Sequence, residues 1–379
     1  MAYFANRAVN LLNLHYAVHA IALGSSAFFF VYVLKASVPV TATLLALAAV
    51  LAGRFLIRPA IVPLAIRIGL RRVLIIGTLF LVIQFPLIAE IHGINWAFYV
   101  SCAVWSIGDT LYWTSYHAYF AALGDPEHRG HQISAREAAV AVIGIVSPLA
   151  TGWALVTFGA GIAFNVVAII QAFAAMPLLW TPDVAVARHV PGAVKSAVPG
   201  VLLFITDGWI AVGSLVVWQM ALFFSVGQDF LAYGGALALA ALAGAVLGLL
   251  LGRYIDKGFG GRAVQFAVAA LVVTILFRAA AIGNAGLAVT ANALGALVTC
   301  LYTPTLMTAV YNLSKGSPCP LRFHVATEGG WDAGGAAACV ITAVMVSQGV
   351  PLAAGVLMSL AGAAAAYILL RRYYRVDAA

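Results

Sequence analysis

Long, uninterrupted apolar runs recur along the chain, each about as long as a helix needs to cross a bilayer. Crossing the roughly 30 Å hydrocarbon core takes about 20 residues at about 1.5 Å each. The runs fall near residues 8–33, 39–64, 72–91, 95–123, 135–158, 160–180, 199–226, 229–253, 262–281, 285–313, 323–347 and 350–371. This pattern predicts twelve membrane-spanning helices. Between runs stand helix breakers such as Gly124-Asp125-Pro126, Thr181-Pro182-Asp183, Asp256-Lys257-Gly258 and Gly316-Ser317-Pro318. The runs are continuous rather than alternating, which excludes a membrane β-barrel.

Composition removes the soluble alternatives. Of 379 residues, 64% are hydrophobic and 8% charged, with a mean hydropathy of +1.04. Soluble domains have roughly 45–50% apolar and about 25% charged residues. A soluble enzyme, a coiled coil and a disordered regulator are all excluded. The net charge of +8 concerns orientation rather than nucleic acid. With Met1 inside, Arg7, Arg67, Arg71, Arg72, Arg129, Arg136, Arg188, Lys195, Arg253, Lys257, Arg262, Lys315, Arg322, Arg371, Arg372 and Arg375 fall on the cytoplasmic side, while Lys35 and Arg278 fall outside. The asymmetry predicts an integral protein of a bacterial inner membrane with both termini cytoplasmic. Met1–Val9 leads into the first run without a cleavage site, so no removed signal peptide is expected. Cys102, Cys300, Cys319 and Cys339 lack CxxC spacing and read as structural, with no disulfide framework or zinc site.

The chain also overlays on itself at an offset of 190 or 191 residues. Leu111-Tyr112 meets Leu301-Tyr302, and Ala135 and Glu137 meet Ala326 and Glu328. An offset of six runs keeps the membrane topology of both halves the same. The expected organisation is a bundle over 1–180, a cytoplasmic linker over 181–198 and a second bundle over 199–379.

Two loops carry a signature. One reads Leu64-Ala65-Ile66-Arg67-Ile68-Gly69-Leu70-Arg71-Arg72; its counterpart reads Gly252-Arg253-Tyr254-Ile255-Asp256-Lys257-Gly258-Phe259-Gly260-Gly261-Arg262. Here the chain resembles the major facilitator superfamily, whose pattern is approximately Gly-x-x-x-Asp-Arg/Lys-x-Gly-Arg/Lys-Arg/Lys. The second copy fits with one extra residue; the first has Val62 for the leading glycine and Ile66 for the acid. The resemblance implies an all-α integral membrane protein, twelve helices in two pseudo-symmetric six-helix bundles, working as a monomer by alternating access. It implies a central cavity lined by the runs 8–33, 95–123, 199–226 and 285–313. It also implies a cytoplasmic latch in which Asp256 holds the start of the 135–158 run, where Arg136 and the helix dipole attract an anion. Gly144-Ile145-Val146-Ser147-Pro148-Leu149-Ala150-Thr151-Gly152 resembles the family's exporter motif, with Ser147 and Thr151 in place of glycines.

Ionisable groups inside a membrane are costly and face a cavity or a partner. Asp109, Asp207 and Asp332 lie about 14, 8 and 9 residues into their runs, roughly 12–21 Å from one membrane face. His324, Glu328 and Asp332 stand four apart on one helix face, as do His15 and His19. Asp332, Glu328, Asp109 and Asp207 are the proton-coupling candidates. Arg54 and Arg58 lie within the 39–64 run, and the family architecture implied above sets that run against 323–347. Arg54 is therefore expected to meet Glu328 or Asp332, or Asp109 within its own half. A stripe of Tyr112, Trp113, Tyr116 and Phe120, with His117 beside it, suits stacking on a substrate. The substrate-cavity candidates are His15, His19, Arg54, Tyr112, Trp113, Tyr116, His117, Trp218, Gln219, Tyr302 and His324. Ser134-Ala135-Arg136-Glu137 reads as a capping box, which keeps Glu137 off the proton list.

The absence of G-x-x-x-x-G-K-[ST] argues against ATP drive, and neither HExxH nor GxSxG is present. The function expected is proton-coupled secondary transport of a small organic solute, anionic or amphipathic, with export favoured and no cofactor or metal. Open alternatives are a proton-coupled uptake permease, a divalent-metal transporter built on the membrane histidines, and a non-transporting membrane sensor.

Overall fold

The computed structural model describes residues 6–123, 129–255 and 260–376, with the backbone alone for 121, 129–139, 249–255, 260–261, 297, 299 and 376. The described chain is helical nearly throughout and holds no strand. In order, the elements are α1 (Arg7–Lys35), α2 (Val40–Ile68), α3 (Leu70–Ala89), α4 (Trp96–Leu123), α5 (Arg129–Ala175), α6 (Val198–Ser225), α7 (Phe230–Ile255), α8 (Gly260–Ala281), α9 (Ala285–Lys315), α10 (Pro320–Ser347) and α11 (Leu352–Arg375). Asn6 caps α1, its side chain accepting from the Val9 amide at 3.1 Å, and Asn284 caps α9 in the same way through Leu287 at 3.0 Å.

Among the described residues, ten stretches are long and apolar enough to cross a membrane. The twelve read from the sequence differ from these ten in two places. One is α4, outside the ten, which carries Asp109, His117 and a series of buried Ser and Thr that lower its hydropathy. The other is the single stretch Val140–Trp180, whose 41 residues would extend about 62 Å as a straight helix.

That stretch is not straight. Gly159 has φ 79 and ψ 170, a conformation that side-chain-bearing residues avoid. On α1, His19 bonds Gln171 at 3.0 Å and Ser25 bonds Thr151 at 2.8 Å. His19 and Ser25 are about 9 Å apart along α1, whereas Thr151 and Gln171 would lie about 30 Å apart on an unbroken helix. Both contacts require α5 to fold back at Gly159, giving two antiparallel limbs. The same element corrects the helix start read from the capping box: α5 already runs from Arg129, so Ser134 stands inside the helix rather than at its beginning.

Small residues bring helices into close contact. A Cβ on Gly334 of α10 would overlap the Ile205 carbonyl of α6, and one on Gly208 of α6 would overlap the Trp331 carbonyl of α10. The Gly144–Gly152 segment of α5 is a similar seam, with a Cβ on Gly152 overlapping the Phe230 carbonyl of α7. The two residues that replace glycines there turn the other way. Ser147 donates to the Ile21 carbonyl at 2.7 Å and Thr151 meets Ser25, tying α5 to α1.

At one end of the molecule, early and late parts of the chain close on each other. Phe28 and Phe230 pack with ring centres 6.3 Å apart, Tyr233 donates to the Ala27 carbonyl at 3.3 Å, and Lys35 donates to the Gln228 carbonyl at 3.4 Å. At the other end, the segment before α6 lies against the starts of α3 and α10. Arg71 donates to the Thr181 carbonyl at 2.7 Å and Arg322 to the Arg188 carbonyl at 2.9 Å.

The α6/α10 seam makes a direct prediction. Gly334→Val should lower stability by about 1–3 kcal/mol through overpacking, seen as a lower thermal midpoint in detergent. Gly161→Val, at an exposed helical position where a Cβ meets nothing, serves as the comparison for general glycine loss. Equal midpoints for the two variants would mean that α6 and α10 are not in contact at Gly334.

Candidate functional site

The deepest charges in the fold sit where α2, α4 and α10 meet. Arg54 and Arg58, one helical turn apart on α2, point to one side, and Pro59 lies in a short 3-10 turn over Arg58–Ala60. Asp109 comes from α4, Glu328 and Asp332 from α10. Arg54 pairs with Asp109 through Nη1, with Asp332 Oδ1 through Nε at 2.8 Å, and more loosely with Glu328 at 3.9 Å. Arg58 holds Asp332 Oδ2 through Nη2 at 2.5 Å and Nε at 3.0 Å, approaches Glu328 at 3.7 Å, and donates from Nη1 to Thr114 at 2.9 Å. The Asp332 side chain is fully buried, Arg58 is 2% exposed, and Glu328, the most accessible, is 15% exposed. Arg54 therefore meets each of the carboxylates expected as alternative partners, Glu328, Asp332 and Asp109.

The charges do not balance. Three carboxylates face two guanidiniums, so with the His117 and His324 imidazoles beside Glu328 neutral the ionised cluster carries one surplus negative charge in a medium that solvates charge poorly.

Beside this cluster, α1 and α4 build an aromatic stack. Tyr112 lies parallel to Tyr116 at 5.8 Å, Tyr16 stacks on Tyr116 at 4.9 Å, and His19 sits 4.1 Å from Tyr112. His15 Nδ1 donates to the Ala174 carbonyl at 2.7 Å and its Nε2 faces the Tyr112 hydroxyl at 3.1 Å. Both His15 nitrogens are thus engaged, and among the described residues no group of three or more His, Cys, Asp or Glu can hold a metal ion. His19 keeps Nε2 without a hydrogen-bond partner and, with Asp109, Trp113, Gln84 and Gln171, lines a cavity of about 190 Å³. His117 stacks between Trp113 at 5.6 Å and His324 at 6.2 Å, and His324 Nε2 meets Ser314 Oγ at 3.2 Å.

A cavity of about 860 Å³ opens among α6, α7, α8 and α9, reached by α5 and by Trp331 of α10. Trp218, Gln219 and Tyr302 line it, as does Asp207. Of the runs expected to line a central cavity, 199–226 and 285–313 line this one, together with Val140, Ala141 and Gly144 of α5, whereas the α1 and α4 aromatics pack on one another. Trp331 joins the cavity to the charge cluster. Its indole lies under Arg54, 5.4 Å from the guanidinium carbon, and its Nε1 donates to Asp207 Oδ2 at 3.1 Å.

Sequence reasoning missed Arg278. Placed outside by its position near the end of an apolar run, it is 6% exposed, because helical side chains tilt toward the helix N-terminus and carry its guanidinium inward. It also passed over Trp331 and Asn292, which have no charge to mark them, and Gln171. Both members of the Asp256–Arg136 latch lie outside the described side chains.

The family profile described as Major Facilitator Superfamily matches residues 12–318. The chain belongs to the major facilitator superfamily. The same fold appears in the in meso crystal structure of the POT family transporter PepTSo, with TM-score 0.68, 12% identity and coverage of 98% of this chain and 99% of that one. It appears in a mutant of the nucleoside transporter NupG with TM-score 0.67, 10% identity and coverage of 96% and 98%. An auto-inhibited POT family peptide transporter gives 0.63, 14%, 97% and 96%. No curated protein sequence matches the chain. At these identities the neighbours share the fold with this protein. Major facilitator membership makes it an integral membrane transport protein and not an enzyme.

The surplus negative charge in the superfamily member's core sets an order of stability. Arg58→Gln, which leaves three carboxylates against one guanidinium, should cost about 3–5 kcal/mol, whereas Glu328→Gln, which leaves two against two, should cost under about 1 kcal/mol or stabilise. Thermal midpoints of the purified variants at neutral pH measure both, and equal losses would refute the charge count.

Proposed function

We propose that this protein is a proton-coupled secondary active transporter of a small organic solute, anionic or amphipathic, working as a monomer in a bacterial inner membrane with both termini cytoplasmic. In this reading twelve spans form bundles over 1–180 and 199–379, linked by 181–198, that rock about a site near the midplane. The direction is export, on the strength of the Gly144–Gly152 motif.

One observation carries the reading: Arg54, Arg58, Asp109, Glu328 and Asp332 form a buried cluster with one carboxylate in excess, drawn from helices near both ends of the chain. A single proton cancels that excess. Asp332, gripped by both arginines, clamps α10 to α2. Glu328, with the longest ion-pair distances and the most exposure, is the group on which the proton arrives. Protonation weakens the hold of α2 on α10, and a ligand or proton that binds one arrangement better than the other shifts the population toward it. Asp207, tied to the cluster through Trp331, and Asp109 are the second proton sites.

The test uses proteoliposomes and a solute selected from carboxylates, amines, sugars and lipophilic compounds by thermal stabilisation, which reaches about 2.7 kcal/mol at 100 times Kd. With an imposed pH gradient, the wild type should concentrate the solute. Glu328→Gln and Asp332→Asn should lose that accumulation by at least tenfold, while Glu328→Gln keeps exchange across vesicles at equal pH. Accumulation that ignores the gradient in the wild type, or survives in both variants, would overturn proton coupling.

A further inference from the structure

In contrast with Arg54 and Arg58, Arg278 has no acidic partner: no carboxylate among the described residues forms an ion pair with it. It is nonetheless buried and lines the cavity of about 860 Å³. Its position is built rather than incidental. Nη1 donates to the Ser214 carbonyl at 2.5 Å, within the π-helical segment Val212–Val217 of α6. The guanidinium carbon lies 5.2 Å from the Trp218 ring centre, and Trp218 is fixed in turn by Nε1 donating to Asn292 at 3.0 Å. Gly295 makes room, since a Cβ there would overlap Arg278 Nη2.

Two buried hydrogen-bonding groups on residues that line this region lack partners: Arg278 Nε and Thr274 Oγ1, one turn earlier on α8. Both residues line the same cavity and are more than nine-tenths buried. A membrane-embedded cation with unspent donors calls for an anion.

We propose that Arg278 binds the carboxylate of a singly charged organic acid, whose apolar body lies along Trp218 and the aliphatic wall formed by Leu271, Ile275 and Leu306. The cavity volume falls within the roughly 300–1,000 Å³ of small-molecule sites. One guanidinium matches one negative charge, and Asp207 in the same cavity opposes a doubly charged anion such as phosphate. This inference rests on the transport reading for its purpose but not for its test.

The experiment measures binding to the purified full-length protein by calorimetry, without any gradient. The ligands are acetate, benzoate and 1-naphthoate, each with its neutral amide, and inorganic phosphate in a separate arm. At least one carboxylate should bind tenfold or more tightly than its amide. Arg278→Gln should abolish that preference, Arg278→Lys should retain part of it, and Gly295→Ala, which leaves the charge in place and crowds Nη2, should weaken it. The proposal falls if every carboxylate fails to outbind its amide, if the preference survives Arg278→Gln in folded protein, or if phosphate alone binds. A carboxylate that binds but is never moved across vesicles would sink the transport reading and leave the site standing; transport of other solutes without carboxylate binding would do the reverse.

Discussion

Two guanidiniums buried in a hydrocarbon slab set the terms for the rest of this molecule. A lone buried charge is costly, and removing one partner of a buried pair is more damaging than never having built it. Arg54 and Arg58 therefore require acids nearby, and the acids come from α4 and from α10, far away in sequence. That requirement fixes which helices meet at the centre: α2 is held to α10 by charge, and α10 to α6 by glycines at van der Waals distance. The aromatic stack of α1 and α4 fills the adjacent volume, and the large cavity opens among α5, α6, α7, α8 and α9.

Much of this was legible in the sequence because membrane burial is a severe rule. Length and hydropathy located the helices to within a few residues, and the cost of an unpaired arginine, taken with the helix pairing that the family resemblance implies, named the partners of Arg54. Helix start positions were less legible. Ser134 and Glu137 have the spacing of a cap, but helix propagation from Arg129 does not stop for a local pattern. The break between the 135–158 and 160–180 runs falls on Gly159, where the backbone reverses within a stretch that stays apolar on both sides.

Side-chain direction was the least legible property. Arg278 lies near a loop in sequence, yet its long side chain reaches back along α8 to the Ser214 carbonyl. His15 and Tyr112 had the composition of a binding surface, and they spend it on each other and on the Ala174 carbonyl. Composition reports which groups must be satisfied; only packing decides whether a neighbour or a ligand satisfies them.

The glycine seam between α6 and α10 ties the charge cluster mechanically to the wall of the large cavity. Backbone meets backbone at Gly208, Gly330 and Gly334, and Trp331 bonds Asp207 across the same seam, so a tilt of one helix would carry the other. α10 has 28 residues, a length of about 42 Å with Asp332 near its middle, so a tilt of about ten degrees about that point would move either end by about 3–4 Å. The fulcrum lies close to Asp332, and the arm that α10 carries with it is the wall of the cavity. Under the proposed coupling, a change of charge at Asp332 would be read out as a shift of the α6 wall that lines the large cavity.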